Sequence, residues 1–483
     1  MSIDFKGMAS VKGLLWCLVF IVICYLTWTT LLNYPGESYI YLLFSVVSTI
    51  LLISGFRRNA IFFDAFIGVF FWIGFWLKLS VRVSFAGGLF HDPVGGFGGA
   101  GYEFDRALVV TIFGFFGIIL ASYLRERYIF KYPLVSDDSK HDGVISLYTK
   151  FRKYIFIGFV CLILVVAFLN MYLGVYQRGA ITRTTLPFGL NGVFKWLLLF
   201  GLASFSAVIL RLEMSSKRGH PYWATFLSIF ESFMSNVSLL SRGMILNLSS
   251  LALGVIMEYR AHSRKLSIRF LVICSVIFML LFASSIYVVN IIRANAHIIG
   301  AEPFESVPQM GSLKASLNVG AAKPLFLDRW VGIEGVMAVS SSSKIGWDFW
   351  QSAWAERYDE NTMGFYDANL ITSPYENLNF TKHHYISLPG ILAFFFYPGS
   401  LIFLFVGMFM LGVFAAMIEI FTFKMSGGNL ILCSLIAQVV AYRFASFGYV
   451  PIQSYLLVGS IFLNLMVIYF GYRIVRQWGR SEV

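Results

Sequence analysis

The chain has 483 residues, 58% of them hydrophobic and only 13% charged, with a mean hydropathy of +0.74. Soluble domains average about 45–50% apolar and about 25% charged residues, so these figures exclude a soluble enzyme and describe an integral membrane protein. The net charge of +12 sits mostly in short loops, where it sets topology and meets anionic headgroups; membrane lipid is expected as a partner and nucleic acid is not.

A helix needs about 20 apolar residues to span a bilayer. In chain order, runs of about that length lie at 14–32, 39–55, 61–80, 107–124, 154–175, 191–212, 222–240, 243–258, 268–291, 400–422, 429–446 and 453–472. About twelve spans, all helical, are therefore expected. The first run follows Lys6 and Lys12 and lacks a small-x-small cleavage site, so it reads as an uncleaved anchor. Cys17, Cys24, Cys161, Cys274 and Cys433 fall inside apolar runs without metal-like spacing and read as free thiols.

Basic residues orient the chain. With the N-terminus inside, the inner loops take Arg57, Arg58, Arg125, Arg127, Lys131, Lys150, Lys217, Arg260, Lys265 and Lys424, and the inner tail takes Arg473, Arg476 and Arg480; outer loops 33–38 and 447–452 hold none. Both termini are then cytoplasmic. The expected division is a bundle over 1–292, a soluble loop over 293–384 facing outward (the periplasm in a bacterium), and a C-terminal part over 385–483. Residues 386–399 are too short to span and read as a re-entrant half-helix, with one long helix kinked at Pro398 as the alternative. The glycine-rich segment 91–101 follows no strand and reads as a flexible cover rather than a phosphate loop.

Arginines against the positive-inside trend carry the functional signal. Arg178 and Arg183 lie in outer loop 176–190, Arg242 lies between two apolar runs, and Arg443 lies within one. A charge at such depth costs about 2.5–3.5 kcal/mol on insertion scales, so it faces a cavity or a partner. Guanidinium groups bind phosphate oxygens in pairs, and several converging ones suit a diphosphate; a structural ion pair is the plainer use of any one of them. Arg293, Arg329 and Arg357 are the next set. Glu231 is expected to pair with an arginine or to hydrogen-bond between helices, and Glu419 to be a solvated charge at a helix end. His383, His384 and Glu334 are the candidate general bases, since a group titrating near neutrality can deprotonate a sugar hydroxyl. No cysteine or carboxylate cluster supports a metal, and no cofactor is expected. Trp347, Trp350 and Trp354 share one helical face and read as interfacial anchors or as stacking surface for sugars.

With about a dozen spans, inside termini and arginine-bearing outer loops, the chain resembles the Wzy-type O-antigen polymerases. Arg178 and Gly189 match that family's arginine, ten residues, glycine pattern; the corresponding partners of Arg293, Arg329 and Arg357 are Phe304, Ser340 and Ala368 instead. The resemblance implies a GT-C-like fold and a metal-independent glycosyltransferase of the bacterial inner membrane, with short amphipathic helices in its large periplasmic loop. It implies an undecaprenyl-diphosphate-linked oligosaccharide as both donor and acceptor, and a chain-length-regulating co-polymerase as a partner. An O-antigen ligase, another GT-C transferase and a lipid-linked sugar transporter are the alternatives.

Overall fold

The computed structural model describes residues 5–57, 59–130, 142–216, 221–262, 267–298, 330–373 and 386–481. Among them every regular element is helical, and each of the twelve apolar runs falls on a helix. Those helices are α1 (Phe5–Asn33), α2 (Ser38–Ser54), α3 (Phe62–Phe71) continued as α4 (Lys78–Ala86), α5 (Gly101–Tyr128), α6 (Asp142–Leu173), α7 (Leu190–Trp196) continued as α8 (Leu202–Ser215), α9 (Tyr222–Ser238), α10 (Ile245–Ala261) and α11 (Ile268–Ile298). Short helices α12 (Ile333–Ser340), α13 (Trp347–Trp354), α14 (Phe365–Asn369) and α15 (Ile391–Phe395) follow, and the long helices α16 (Leu401–Met425), α17 (Leu430–Ala445) and α18 (Ser454–Ser481) close the chain. Six helices among the described residues are long and apolar enough to cross a membrane: Phe62–Ala86, Gly101–Tyr128, Gly143–Leu173, Pro187–Ser215, Leu401–Met425 and Pro451–Gln477. The chain has the build of a helical membrane protein.

Local chemistry sets the helix ends. Asn429 Oδ1 accepts the N–H groups of Ile431 and Leu432 at the start of α17, and Ser400 Oγ accepts that of Phe403 in α16; each takes up donors that the first helical turn leaves unpaired. The glycine-rich segment before α5 is built, not loose: Glu103 Oε2 accepts the N–H groups of Gly98 and Ala100. Two spans contain a π-helical turn, Trp72–Leu77 and Leu197–Gly201. Such turns mark sites where a helix departs from regular geometry for function.

The core pairs are α5 with α16 and α10 with α17. Gly117 lies against the backbone of Phe405, and Gly254 against Ile431. Small residues let these helices approach closely, which is how apolar helices associate in lipid. One end of the bundle is capped by residues 330–373 and 386–399. Ile386–Gly390 is extended, α15 is one short buried helix, and Gly399 (φ +76) leads into α16. Residues 386–399 are thus a half-helix, not the start of one long kinked helix.

The opposite, open end gathers ion pairs. Arg125 pairs with Asp64 at 3.0 Å, Arg152 with Glu213 at 2.7 Å, and Arg57 with Glu126 at 3.2 Å. Glu419 corrects the sequence expectation: it is 1% exposed and accepts the N–H groups of Phe62 and Phe63 at 2.8 and 3.0 Å. A carboxylate at a helix N-terminus satisfies its unpaired donors and meets its dipole, so burial is tolerated.

Candidate functional site

At the capped end, two of the anomalous arginines meet. Arg178 donates its backbone N–H to Leu239 O at 3.0 Å, which pins the loop after α6 onto the turn between α9 and α10. Its guanidinium reaches the phenol oxygens of Tyr176 and Tyr442. The same guanidinium lies over Gly243, whose added Cβ would sit 3.3 Å from Nη1. The backbone of Arg242 is therefore part of this corner; its side chain is outside the described set. Burial works against the charge of Arg178, but Tyr442 and Tyr176 outweigh it and move its pKa above the ordinary arginine value. Arg443, half-buried one residue after Tyr442, lies within electrostatic range of both Tyr176 and Arg178. Two like charges that act on each other in a buried setting are favoured by an anion or by dipoles around them.

Beside Arg443 a small cavity of about 140 Å³ opens between α16, α17 and α18, lined by Phe414, Phe444, Tyr455 and Val458 among others. Tyr455 is 65% exposed, so the cavity gives onto the outer surface of the bundle. Ser454 Oγ, also on its wall, is buried with no hydrogen-bond partner among the described residues. The site thus combines a cationic corner with an adjoining apolar slot.

A strap of residues 356–360 covers this corner. Glu356 Oε1 accepts Phe365 N–H at 2.6 Å, and Oε2 accepts Val450 N–H at 2.8 Å. Glu360 takes Thr182 through Oγ1 at 3.1 Å and N–H at 3.3 Å, and takes the Tyr358 hydroxyl at 2.6 Å. The strap therefore ties the Arg178 loop to the loop after Arg443. Burial raises the Glu356 pKa against the pull of those two N–H groups. Lys195 Nζ sits 4.6 Å from the Tyr176 ring centre and 5.9 Å from that of Tyr358, a third cation held by aromatic faces. Backbone strain borders the corner: Leu240 has φ +49 and Val450 φ +43. A β-branched residue in that region is a genuine outlier, and such strain gathers at functional sites.

A second charged cluster lies behind an aromatic wall. Lys78, fully buried after the first π turn, has Nζ 2.6 Å from Glu334 Oε1, 3.7 Å from Asp92 Oδ2 and 2.8 Å from Trp330 O. Trp330 stacks on Phe70 at 5.5 Å, and Phe70 meets Tyr442 edge-on at 6.0 Å, so one aromatic chain joins this cluster to the arginine corner. Burial raises the Glu334 pKa and Lys78 opposes it. Glu334, expected as a base, is 4% exposed. It is placed as the ion-pair partner of a buried ammonium.

The remaining sequence candidates are dispersed. Arg183 lies on the outer side of the Arg178 loop, exposed, its stem on Gly174. Arg357 is exposed on the strap. Arg293 lies on the last turns of α11 with its side chain outside the described set, and Arg329, His383 and His384 fall outside the described residues. Glu231 accepts the Ser235 hydroxyl at 2.8 Å. Trp347 packs edge-on against Phe403 of α16 at 5.0 Å while remaining half exposed, which fits an interfacial anchor. No group of three or more metal-ligating side chains occurs among the described residues. Tyr176, Tyr442, Lys195 and Lys78 were not singled out from sequence; a lysine inside an apolar run was the one available signal.

Set against family models, curated proteins and solved structures, the chain matches none of them.

Proposed function

We propose that this protein is a membrane glycosyltransferase that polymerises undecaprenyl-diphosphate-linked oligosaccharide repeat units, with the capped end facing the periplasm and about twelve helices crossing the inner membrane in a GT-C-like arrangement. The observation that carries the reading is the meeting of Arg178 and Arg443 beside an apolar slot open to the outer surface of the bundle. A polyprenyl diphosphate has the matching form: two phosphates that need paired guanidinium groups, and a chain that needs an apolar path.

In this reading the donor diphosphate lies across Arg178 and Arg443, with the backbone turn at Arg242–Gly243 beside it. The bond between the sugar's anomeric carbon and the diphosphate oxygen breaks, and the electron pair leaves with the diphosphate. The arginines stabilise that developing charge, the role a metal takes elsewhere. The acceptor sugar hydroxyl forms the new bond and gives its proton to a base, His383 or His384 in this reading. Lys78 and Glu334 hold Trp330 in place rather than touch substrate. A co-polymerase setting chain length would be the protein partner.

Deleting the gene and running cell-surface polysaccharide on a gel tests this. Loss of the ladder with one repeat unit still on the lipid core supports polymerisation. Loss of that single unit as well points to a ligase, and an unchanged pattern rejects both.

A further inference from the structure

A separate groove lies at the open end of the bundle, far from the arginine corner. It has a volume of about 570 Å³ and lies between α2, α5 and α16, with walls that include Ile53, Phe116, Leu120 and Phe405. Its polar lining is confined to one end, where Ser54, Arg57 and Tyr123 stand. From Phe116 to Tyr123 the helix rises roughly 10 Å, two thirds of the roughly 15 Å hydrocarbon depth of one leaflet. Charge at the polar end is unbalanced. Arg57 is engaged with Ser54 O, Ser122 Oγ and Glu126, and Arg125 with Asp64. Arg127, exposed, meets the Tyr123 hydroxyl at 3.5 Å and has no carboxylate partner among the described residues.

We propose that this groove binds one acyl chain of an anionic phospholipid, with its phosphate at Tyr123 and Arg127 beside the edge of Arg57. A flat lipid-facing surface would not select a headgroup. A groove whose polar end carries a cation with no carboxylate partner among the described residues does, because a zwitterionic lipid brings its own ammonium to the phosphate and gains less there. The inference does not depend on the catalytic reading.

The test is native mass spectrometry of the purified full chain offered equimolar phosphatidylglycerol and phosphatidylethanolamine. Wild type should retain phosphatidylglycerol in preference. Arg127→Gln should weaken that preference about fivefold, near the contribution of one basic residue at an anionic surface. Ile53→Trp, a change on a side chain 54% exposed to lipid, should fill the groove and lower retention of both lipids without altering the melting temperature. Equal retention of the two lipids by wild type would overturn the proposal, as would Arg127→Gln behaving as wild type. Unchanged retention in Ile53→Trp would overturn the groove as the place of binding.

Discussion

Lys78 shows at the scale of one residue what this fold tolerates and why. A fully buried ammonium is stable only because Glu334, Asp92 and the carbonyl of Trp330 surround it. Lys78→Met should therefore lower stability by about 3–5 kcal/mol, because it strands a buried carboxylate. Adding Glu334→Leu should recover much of the loss, a coupling that melting curves of the two single variants and the double variant would measure. The anomalous arginines were legible in the sequence because they oppose the charge rule for loops. The pairings of Lys78 with Glu334 and of Glu419 with Phe62 were not: these partners lie 256 and 357 positions away along the chain, and a lysine inside an apolar run does not say what it meets. The tyrosines around Arg178 were hidden for a related reason, since an aromatic in an apolar run looks like any lipid-facing side chain.

Among elements, the strap of residues 356–360 and the close approach of Gly74 to Gly332 position the site. An added Cβ on Gly332 would run into the backbone of Gly74, so Gly332→Ala should lift Trp330 off Phe70 and cost about 1–3 kcal/mol. A thermal melt with tryptophan fluorescence would report both effects. Glu356 gives the strap a pH dependence of unusual sign. Burial raises its folded pKa above the unfolded value of about 4.3. Its contribution to stability is thus full below the unfolded value and is lost as pH rises through the folded one. The melting-temperature advantage of wild type over Glu356→Gln should be greatest near pH 4 and shrink toward pH 8; an advantage that grows with pH would contradict this. Helix positions were readable because hydrophobic runs are long and bounded. The strap was not, because its bonds are side chain to backbone between loops distant in sequence.

Taken whole, the ion pairs of Arg57, Arg125 and Arg152 and the apolar groove lie toward one end of the bundle, and the half-helix, strap, buried Lys78 pair and arginine corner toward the other. Hydrophobic runs foretold the all-helical build, but length and composition identify six spanning helices among the described residues where the sequence led to an expectation of about twelve. The 17-residue helices α9 and α10 explain part of the gap, being short of the about 20 residues that a bilayer asks for. Their facing ends carry the turn at Arg242. Cysteines placed at the exposed positions Ser343 and Lys424 in a cysteine-free background should label from opposite sides of the membrane, Ser343 from the periplasm. Labelling of both from one side would break the proposed topology.

The central claim is that Arg178 and Arg443 hold a lipid diphosphate. Its most direct test is elongation of an undecaprenyl-diphosphate-linked repeat unit by purified protein, comparing wild type with Arg178→Lys and Arg443→Lys. Lysine keeps the charge but loses the paired geometry, so each variant should lose roughly 10- to 100-fold in rate, the value of one or two charge-assisted hydrogen bonds, when assayed well below its own melting temperature. Wild-type rates in both variants, or no elongation by wild type itself, would contradict the account.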